Sequence, residues 1–261
     1  LFDKKREFMI AVLSPSKTLD FETAGAEALN SPIFRKQSKE LVSELQKKSK
    51  KDLMKLMSIS EKLGELNYQR YQNFSDRYTT ENSKSAVHAF KGDVYLGLEA
   101  ESLTDKELKF SQEHIRILSG LYGILKPLDK MQPYRLEMGT KLKNKQGKNL
   151  YAFWGDQITE ALNKEFENHQ EKILVNLASQ EYFDAINTDK LNARVVNVDF
   201  REYRDGKLRF ISFNAKKARG MMARYIIKNK VDSFKKLQVF NMDGYQLQGD
   251  SSDDDKLCFV R

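Results

Sequence analysis

Phe8-Met9-Ile10-Ala11-Val12-Leu13-Ser14-Pro15-Ser16-Lys17-Thr18-Leu19-Asp20 decides the fold class. A continuous apolar run that stops at Ser-Pro has the pattern of a buried strand followed by a loop. In an open α/β sheet, loops at strand C-termini line the ligand crevice. Lys17 therefore reads either as a phosphate contact or as an ordinary exposed lysine in a turn.

Helical patterns follow. Ser31-Pro32 supplies a helix start, with Ser31 as N-cap and Pro32 at the first position. Ile33, Leu41, Leu45, Leu53, Leu56, Met57, Ile59, Leu63 and Leu66 recur at mostly helical spacing through two helices. Between them Lys47-Lys48-Ser49-Lys50-Lys51 reads as a solvated helix end. Thr79-Thr80-Glu81-Asn82 opens a helix toward Phe90. Thr104-x-x-Glu107 is a capping box, predicting a helix over 105–118 that Gly120 and Gly123 end. Residues 156–166 read as helical again.

The later chain turns β-rich. Ile173-Leu174-Val175-Asn176-Leu177 and residues 195–203 read as strands. The second is joined to 207–213 through Arg204-Asp205-Gly206, a strong hairpin signal. Residues 215–229 read as a helix. Phe240 and Leu257-Cys258-Phe259-Val260 read as short closing strands, with a solvated acidic loop over 250–255. No repeat or Pro/Ser-rich linker divides the chain. The expectation is one α/β (mixed α+β) domain over 9–261, a mixed sheet surrounded by helices. Residues 1–8 are set apart as an extension, with Met9 as the natural start.

Composition narrows the function. The single cysteine, Cys258, excludes an intrachain disulfide and suits a reducing cytoplasm. No apolar stretch approaches the roughly 20 residues a membrane span needs, and no signal peptide is recognisable. The excess of 45 Lys+Arg over 37 Asp+Glu, a net +8, favours a polyanionic partner. His88, His114 and His169 are far apart, and Walker A, Gly-x-Ser-x-Gly and Gly-x-Gly-x-x-Gly patterns are missing. Neither a metal nor a cofactor is expected.

Four segments carry charged or small residues that a core would not require. The first is the loop with Lys17. The second, Phe90-Lys91-Gly92-Asp93-Val94-Tyr95-Leu96-Gly97, suggests a close backbone approach, to a ligand or only to another element. The third, Ile117-Leu118-Ser119-Gly120-Leu121-Tyr122-Gly123-Ile124-Leu125-Lys126-Pro127, looks like the hairpin of a helix-hairpin-helix module, whose amides approach DNA phosphates. A helix C-cap followed by a turn is the plainer reading. The fourth, residues 214–225, sets Lys216, Lys217, Arg219 and Arg224 on a helix, with Lys228 beyond. Five cations with no acid nearby in sequence repel one another, and an external anion would relieve that. Arg135 with Glu137, Asp156 beside Trp154, and Glu181 beside Tyr182 could carry acid–base chemistry.

Together these segments closely resemble the YaaA family of peroxide-stress resistance proteins. The resemblance spans Met9 to nearly the C-terminus. It rests on Leu13-Ser14-Pro15-Ser16-Lys17-Thr18-Leu19-Asp20, Ala89-Phe90-Lys91-Gly92-Asp93-Val94-Tyr95 and Leu118-Ser119-Gly120-Leu121-Tyr122-Gly123. It continues through Pro127-Leu128-Asp129, Met131-Gln132-Pro133-Tyr134-Arg135-Leu136-Glu137-Met138-Gly139, Phe153-Trp154-Gly155-Asp156, Asn176-Leu177-Ala178-Ser179 and Ala215-Lys216-Lys217-Ala218-Arg219-Gly220. Ser16 stands where the family usually has alanine.

The resemblance implies protection of bacteria against hydrogen peroxide by limiting free iron. It also implies DNA binding through a helix-hairpin-helix-like element beside a basic cleft, in an unusual α/β fold. By that analogy Ser119, Gly120, Leu121, Tyr122 and Gly123 form the hairpin, and Lys17, Lys91, Arg135, Lys216, Lys217 and Arg219 the cleft. Lys126 and Arg224 join the expected DNA contacts. The leading expectation is a cytoplasmic, non-catalytic stress protein that binds DNA by shape and charge. The alternative is an enzyme acting on a nucleotide or phosphorylated small molecule in the same cleft, with Asp93, Glu137 or Glu181 as acid or base.

Overall fold

Residues 8–13 do form the organising strand. The computed structural model describes residues 7–169 and 171–261. Among these, eight strands share one sheet: β1 (Glu7–Leu13), β2 (Ile115–Ser119), β3 (Gly123–Leu125), β4 (Glu171–Leu177), β5 (Arg194–Arg204), β6 (Lys207–Arg209), β7 (Gln246–Leu247) and β8 (Lys256–Val260). Their order is β7-β8-β5-β4-β1-β2-β3, with β6 paired to the C-terminal end of β5. The run β8-β5-β4-β1-β2 is parallel throughout, and the antiparallel β3 and β7 close the edges. Met9 to Leu13 are at most 1% exposed, as a parallel strand covered on both faces requires.

β1 is the switch point of this sheet. The chain continues to β2 on one side of it and later returns to β4 on the other. The loops leaving β1 and β4 therefore diverge and open a crevice at their C-terminal ends. Ser14 and Ser179 sit there, with the Ser179 amide donating to Ser14 Oγ at 2.8 Å.

Helices cover the sheet: α1 (Arg35–Gln46), α2 (Lys50–Met57), α3 (Glu61–Gln72), α4 (Asp93–Leu98), α5 (Asp105–His114), α6 (Gln157–Phe166) and α7 (Ser212–Lys228). Leu41 and Leu45 of α1 and Leu53 of α2 are fully buried, each contributing about 1.5–3 kcal/mol of burial. The stretch expected to hold two helices holds three. Ser58 in the left-handed region ends α2 and Ser60 caps α3. The first helix begins at Arg35, later than Ser31-Pro32 suggests.

The capping box at Thr104 forms with both of its hydrogen bonds, but the helix stops at His114. The expected helix over 105–118 is thus corrected. Ile115-Arg116-Ile117-Leu118 is a short apolar run, ambiguous between helix and buried strand, and burial between β1 and β3 decides for strand. Arg116 inside it is only 1% exposed and donates from Nε to Glu165 at 2.9 Å.

No helix-hairpin-helix forms over 115–125; the segment is a β-hairpin, and Ser119, Gly120, Leu121, Tyr122 and Gly123 are all buried. Trp154 Nε1 donates to the Gly120 carbonyl at 3.1 Å. Gly123 takes φ +69°, and a Cβ there would come 2.8 Å from the Trp154 ring. The glycines serve the core, not a phosphate.

Smaller departures follow the same rule. Residues 79–90 form turns, the strand Lys84–Ser85 and one helical turn over Ala86–Ala89. Phe90–Lys91 then pairs with Thr18–Leu19 in a two-residue ribbon. The Asp-Gly hairpin joins β5 to β6 with positive φ at Asp205 and Gly206, but β6 ends at Arg209 because α7 starts at Ser212. Phe240 is buried outside any strand, and β7 pairs with β8 instead. The boundary drawn after residue 8 falls inside β1. Phe8 pairs in register with Lys172 and stacks on His169 at 3.7 Å. Residues 1–6 lie outside the described residues.

Candidate anion-binding site

The crevice after β1 and β4 is a cleft of about 440 Å³, whose lining includes Lys17, Asp93, Glu137, Glu181, Lys216 and Arg219. Two backbones in contact build its wall. A Cβ on Gly97 of α4 would fall 2.0 Å from the Lys217 carbonyl, and one on Gly220 of α7 would fall 1.8 Å from the Val94 carbonyl. The close approach anticipated near Gly92 and Gly97 is thus to helix α7 at Gly97 and to the Ser16 side chain at Gly92. It sets Asp93, at the start of α4, opposite Lys216, 3.8 Å away.

The floor is polar and ordered. Tyr95, buried and held above the usual tyrosine range by desolvation, donates to the Ser14 carbonyl at 3.2 Å. Glu137 receives Lys17 at 2.5 Å and Arg135 at 3.4 Å. Glu181 accepts from the Gly139 amide at 2.9 Å. Arg219 differs from these. It makes no ion pair among the described residues; its buried Nε, like that of Arg135, has no hydrogen-bond partner, and desolvation lowers its pKa against the attraction of Asp199.

The sequence-predicted cations do not all meet in one place. Lys17, Lys216 and Arg219 line the cleft. Lys217 is half-buried on the same turn of α7 and has no ion-pair partner among the described residues. Arg135 is joined to the cleft only through Glu137. Lys91 faces a neighbouring hollow of about 780 Å³ and pairs with Asp20 at 3.3 Å. Hydrogen bonds from Thr23 hold the Asp20 carboxyl well below the usual range.

Two others belong to structure. Arg224 donates to the carbonyls of Leu98 and Glu99 at 3.1 Å and to Ser102 Oγ at 2.7 Å, closing the end of α4. Lys126 lies 3.8 Å from Glu165 in the cluster with Arg116. The expectation that the α7 cations have no acid nearby is corrected. Asp93 of α4, Glu99 just beyond its end and Glu107 of α5 meet Lys216, Arg224 and Lys228.

Comparison with known proteins shows the family. Residues 9–251 match the family described as "Peroxide stress protein YaaA". The chain belongs to the YaaA family. Its relatives include proteins named "UPF0246 protein" from Saccharophagus degradans, 49% identical over 97% of this chain and 99% of that one, and from Ralstonia pickettii, 50% identical over the same shares. A third, from Burkholderia multivorans, is 48% identical over 97% and 98%. Among the described residues, no helix is long and apolar enough to cross a membrane.

One feature escaped sequence reasoning. Loop 139–148 of this YaaA-family chain carries Lys141, Lys143, Lys145 and Lys148, all exposed. Their spacing, with no acid between, was the available signal.

Proposed function

We propose that this YaaA-family chain is a cytoplasmic, non-catalytic peroxide-stress protein that binds DNA, with one backbone phosphate received in the cleft by Arg219, Lys216 and Lys17. The observation that carries the reading is Arg219. A half-buried guanidinium whose Nε is withdrawn from water with no acceptor is unfavourable until an anion arrives. Lys17 and Lys216 are 61% and 51% exposed; ion pairs this exposed contribute less than about 1 kcal/mol, so a phosphate can exchange for Glu137 or Asp93. The +8 surplus draws polyanions to the chain without reading sequence. Any limiting of iron-driven damage is placed downstream of that binding.

The test is fluorescence anisotropy of a labelled duplex across salt. We expect affinity to fall with a log–log slope of about −2 or steeper, and Arg219→Gln to weaken binding about tenfold, the cost of one charge-assisted contact. A flat salt dependence overturns the reading.

A second reading has its own observation. Asp93, Glu137 and Glu181 share the cleft, which suits a nucleotide or phosphorylated small molecule with a carboxylate as acid or base. Saturable binding of a mononucleotide that duplex DNA fails to displace would select it.

A further inference from the structure

We infer that bound DNA continues from the cleft along a second basic track, the groove between α2 and loop 139–148. This rests on the DNA reading above and names the surface that carries most of the backbone contacts. The groove, about 600 Å³, has Lys48, Lys55 and Lys141 on its walls and Ser58, Gly139 and Thr140 between them. Lys143, Lys145 and Lys148 extend the row along the loop.

Three observations set this surface apart. First, none of these six lysines has an ion-pair partner among the described residues, whereas Lys47 and Lys50 beside them pair with Glu44 and Glu65. The one acid on the groove wall, Asp52, caps α2, accepting from the Ser49 amide at 3.2 Å and from its hydroxyl at 2.6 Å, and its charge offsets only part of that of Lys48 and Lys55. Like charges left unneutralised repel one another, and a polyanion removes that cost.

Second, the loop is held in shape. Leu142 is fully buried. Asn144 Nδ2 donates to the Leu142 and Asn149 carbonyls at 2.9 and 3.0 Å, and its Oδ1 accepts from the Gln146 and Gly147 amides. Only the lysine side chains remain to be ordered on binding, which lowers the entropic cost. Third, groove and cleft are contiguous. Gly139 lines the groove and donates to Glu181, which lines the cleft.

Charge complementarity commits the occupant to DNA. An anionic membrane would need an apolar anchor as well. None of the exposed large hydrophobics among the described residues lies in 47–58 or 139–148.

The experiment uses the full chain, a labelled duplex and anionic phospholipid vesicles. The variant combines Lys55→Gln, Lys141→Gln, Lys143→Gln and Lys145→Gln, with unchanged thermal unfolding as the fold control. Four lost phosphate contacts should flatten the log–log salt slope by about 3 to 4 and weaken binding at moderate salt about 100-fold or more. The matching Lys→Arg variant should retain both affinity and slope. If the Gln variant binds DNA like the wild type while Arg219→Gln does not, this inference fails and the cleft reading stands. Wild-type chain that does not bind DNA overturns both. Loss of vesicle binding with DNA binding intact overturns the inference in favour of lipid.

Discussion

The cleft and the lysine groove meet at Gly139, yet they hold positive charge in opposite ways. In the cleft Lys17 and Lys216 each face a carboxylate, and Arg219 stands unmatched. Along the groove Lys55, Lys141, Lys143 and Lys145 have no such partner among the described residues. The difference comes from where the acids originate. The partners of the cleft and α7 cations arrive from α4, from the start of α5 and from residue 137, which only folding brings near. The groove's neighbouring acids are spent locally, on Lys47, Lys50 and the α2 cap. A cationic run in sequence therefore does not identify a free cation. Tertiary pairing does.

The strongest way to break the comparison is to part α4 from α7. Gly220→Val places a Cβ where the Val94 carbonyl now sits at 1.8 Å, and neither backbone can yield without moving its helix. We expect a loss of at least about 3 kcal/mol in denaturant unfolding, at the upper end for overpacking. Any folded fraction should lose anion binding at the cleft and keep DNA contact through the groove. A variant of wild-type stability would show that the two helices do not set the cleft wall.

The Arg116 cluster, which takes Lys126 away from both surfaces, is sharpened by pH. Burial raises the Asp129 carboxyl from 3.8 to about 6, against the opposing hydrogen bond from the Lys126 amide. Between those values the folded chain holds more proton than the unfolded chain, so this group's contribution to stability declines as pH rises through about 4 to 6. At neutral pH the cost is at most about 3 kcal/mol, from 1.36 kcal/mol per tenfold change in proton affinity. Asp129→Asn keeps an acceptor for the amide and should remove that decline in thermal unfolding measured across pH. DNA affinity should not move. A variant with the wild-type pH profile would place the Asp129 carboxyl in its ordinary range.

These two sites also show what the sequence could disclose. The central strand was legible at 8–13 because an apolar run ending at Ser-Pro has few other readings. The Thr104 cap and the Asp-Gly hairpin were legible because a local hydrogen-bonding pattern specifies each. The end of α5 was not, since Ile115-Arg116-Ile117-Leu118 suits a helix until β1 and β3 flank it. Nor was the role of Gly120 and Gly123, where a Cβ would meet the Leu136 carbonyl at 2.3 Å and the Trp154 ring at 2.8 Å, neither of them near in sequence. The segments that line the cleft were legible as places where small and charged residues gather. Apart from Arg135 with Glu137, their pairing was invisible, because Lys17–Glu137 and Lys216–Asp93 join residues far apart in the chain.

A smaller effect separates binding from stability within the cleft. Arg219→Met replaces an unmatched, desolvated cation with an apolar side chain of similar length. Relief of that burial should stabilise the fold by about 1 kcal/mol, the lower end of gains for replacing poorly compensated buried charge. Phosphate or DNA affinity should fall together with that gain. Loss of both stability and affinity would mean that Arg219 is held by packing along its stem.

The smallest effect tests whether the paired cations of the cleft are reserves for an anion or supports of the fold. Lys216 and Asp93 approach only to 3.8 Å with 51% and 31% of their side chains exposed. A pair with that geometry gains little Coulomb energy in water and loses side-chain freedom, so Lys216→Gln should change unfolding free energy by less than about 0.5 kcal/mol. Its effect on DNA should be larger, because the phosphate shared with Arg219 and Lys17 loses one of its three cations, and the salt slope should become shallower by less than that of a whole contact. Asp93→Asn should act in the opposite sense on binding, because it frees Lys216 for phosphate while leaving stability as little changed. If Asp93→Asn weakens DNA binding instead, the carboxylate is holding Lys216 in its binding position. The cleft would then be a preorganised acid–base site, unlike the open charge of the groove.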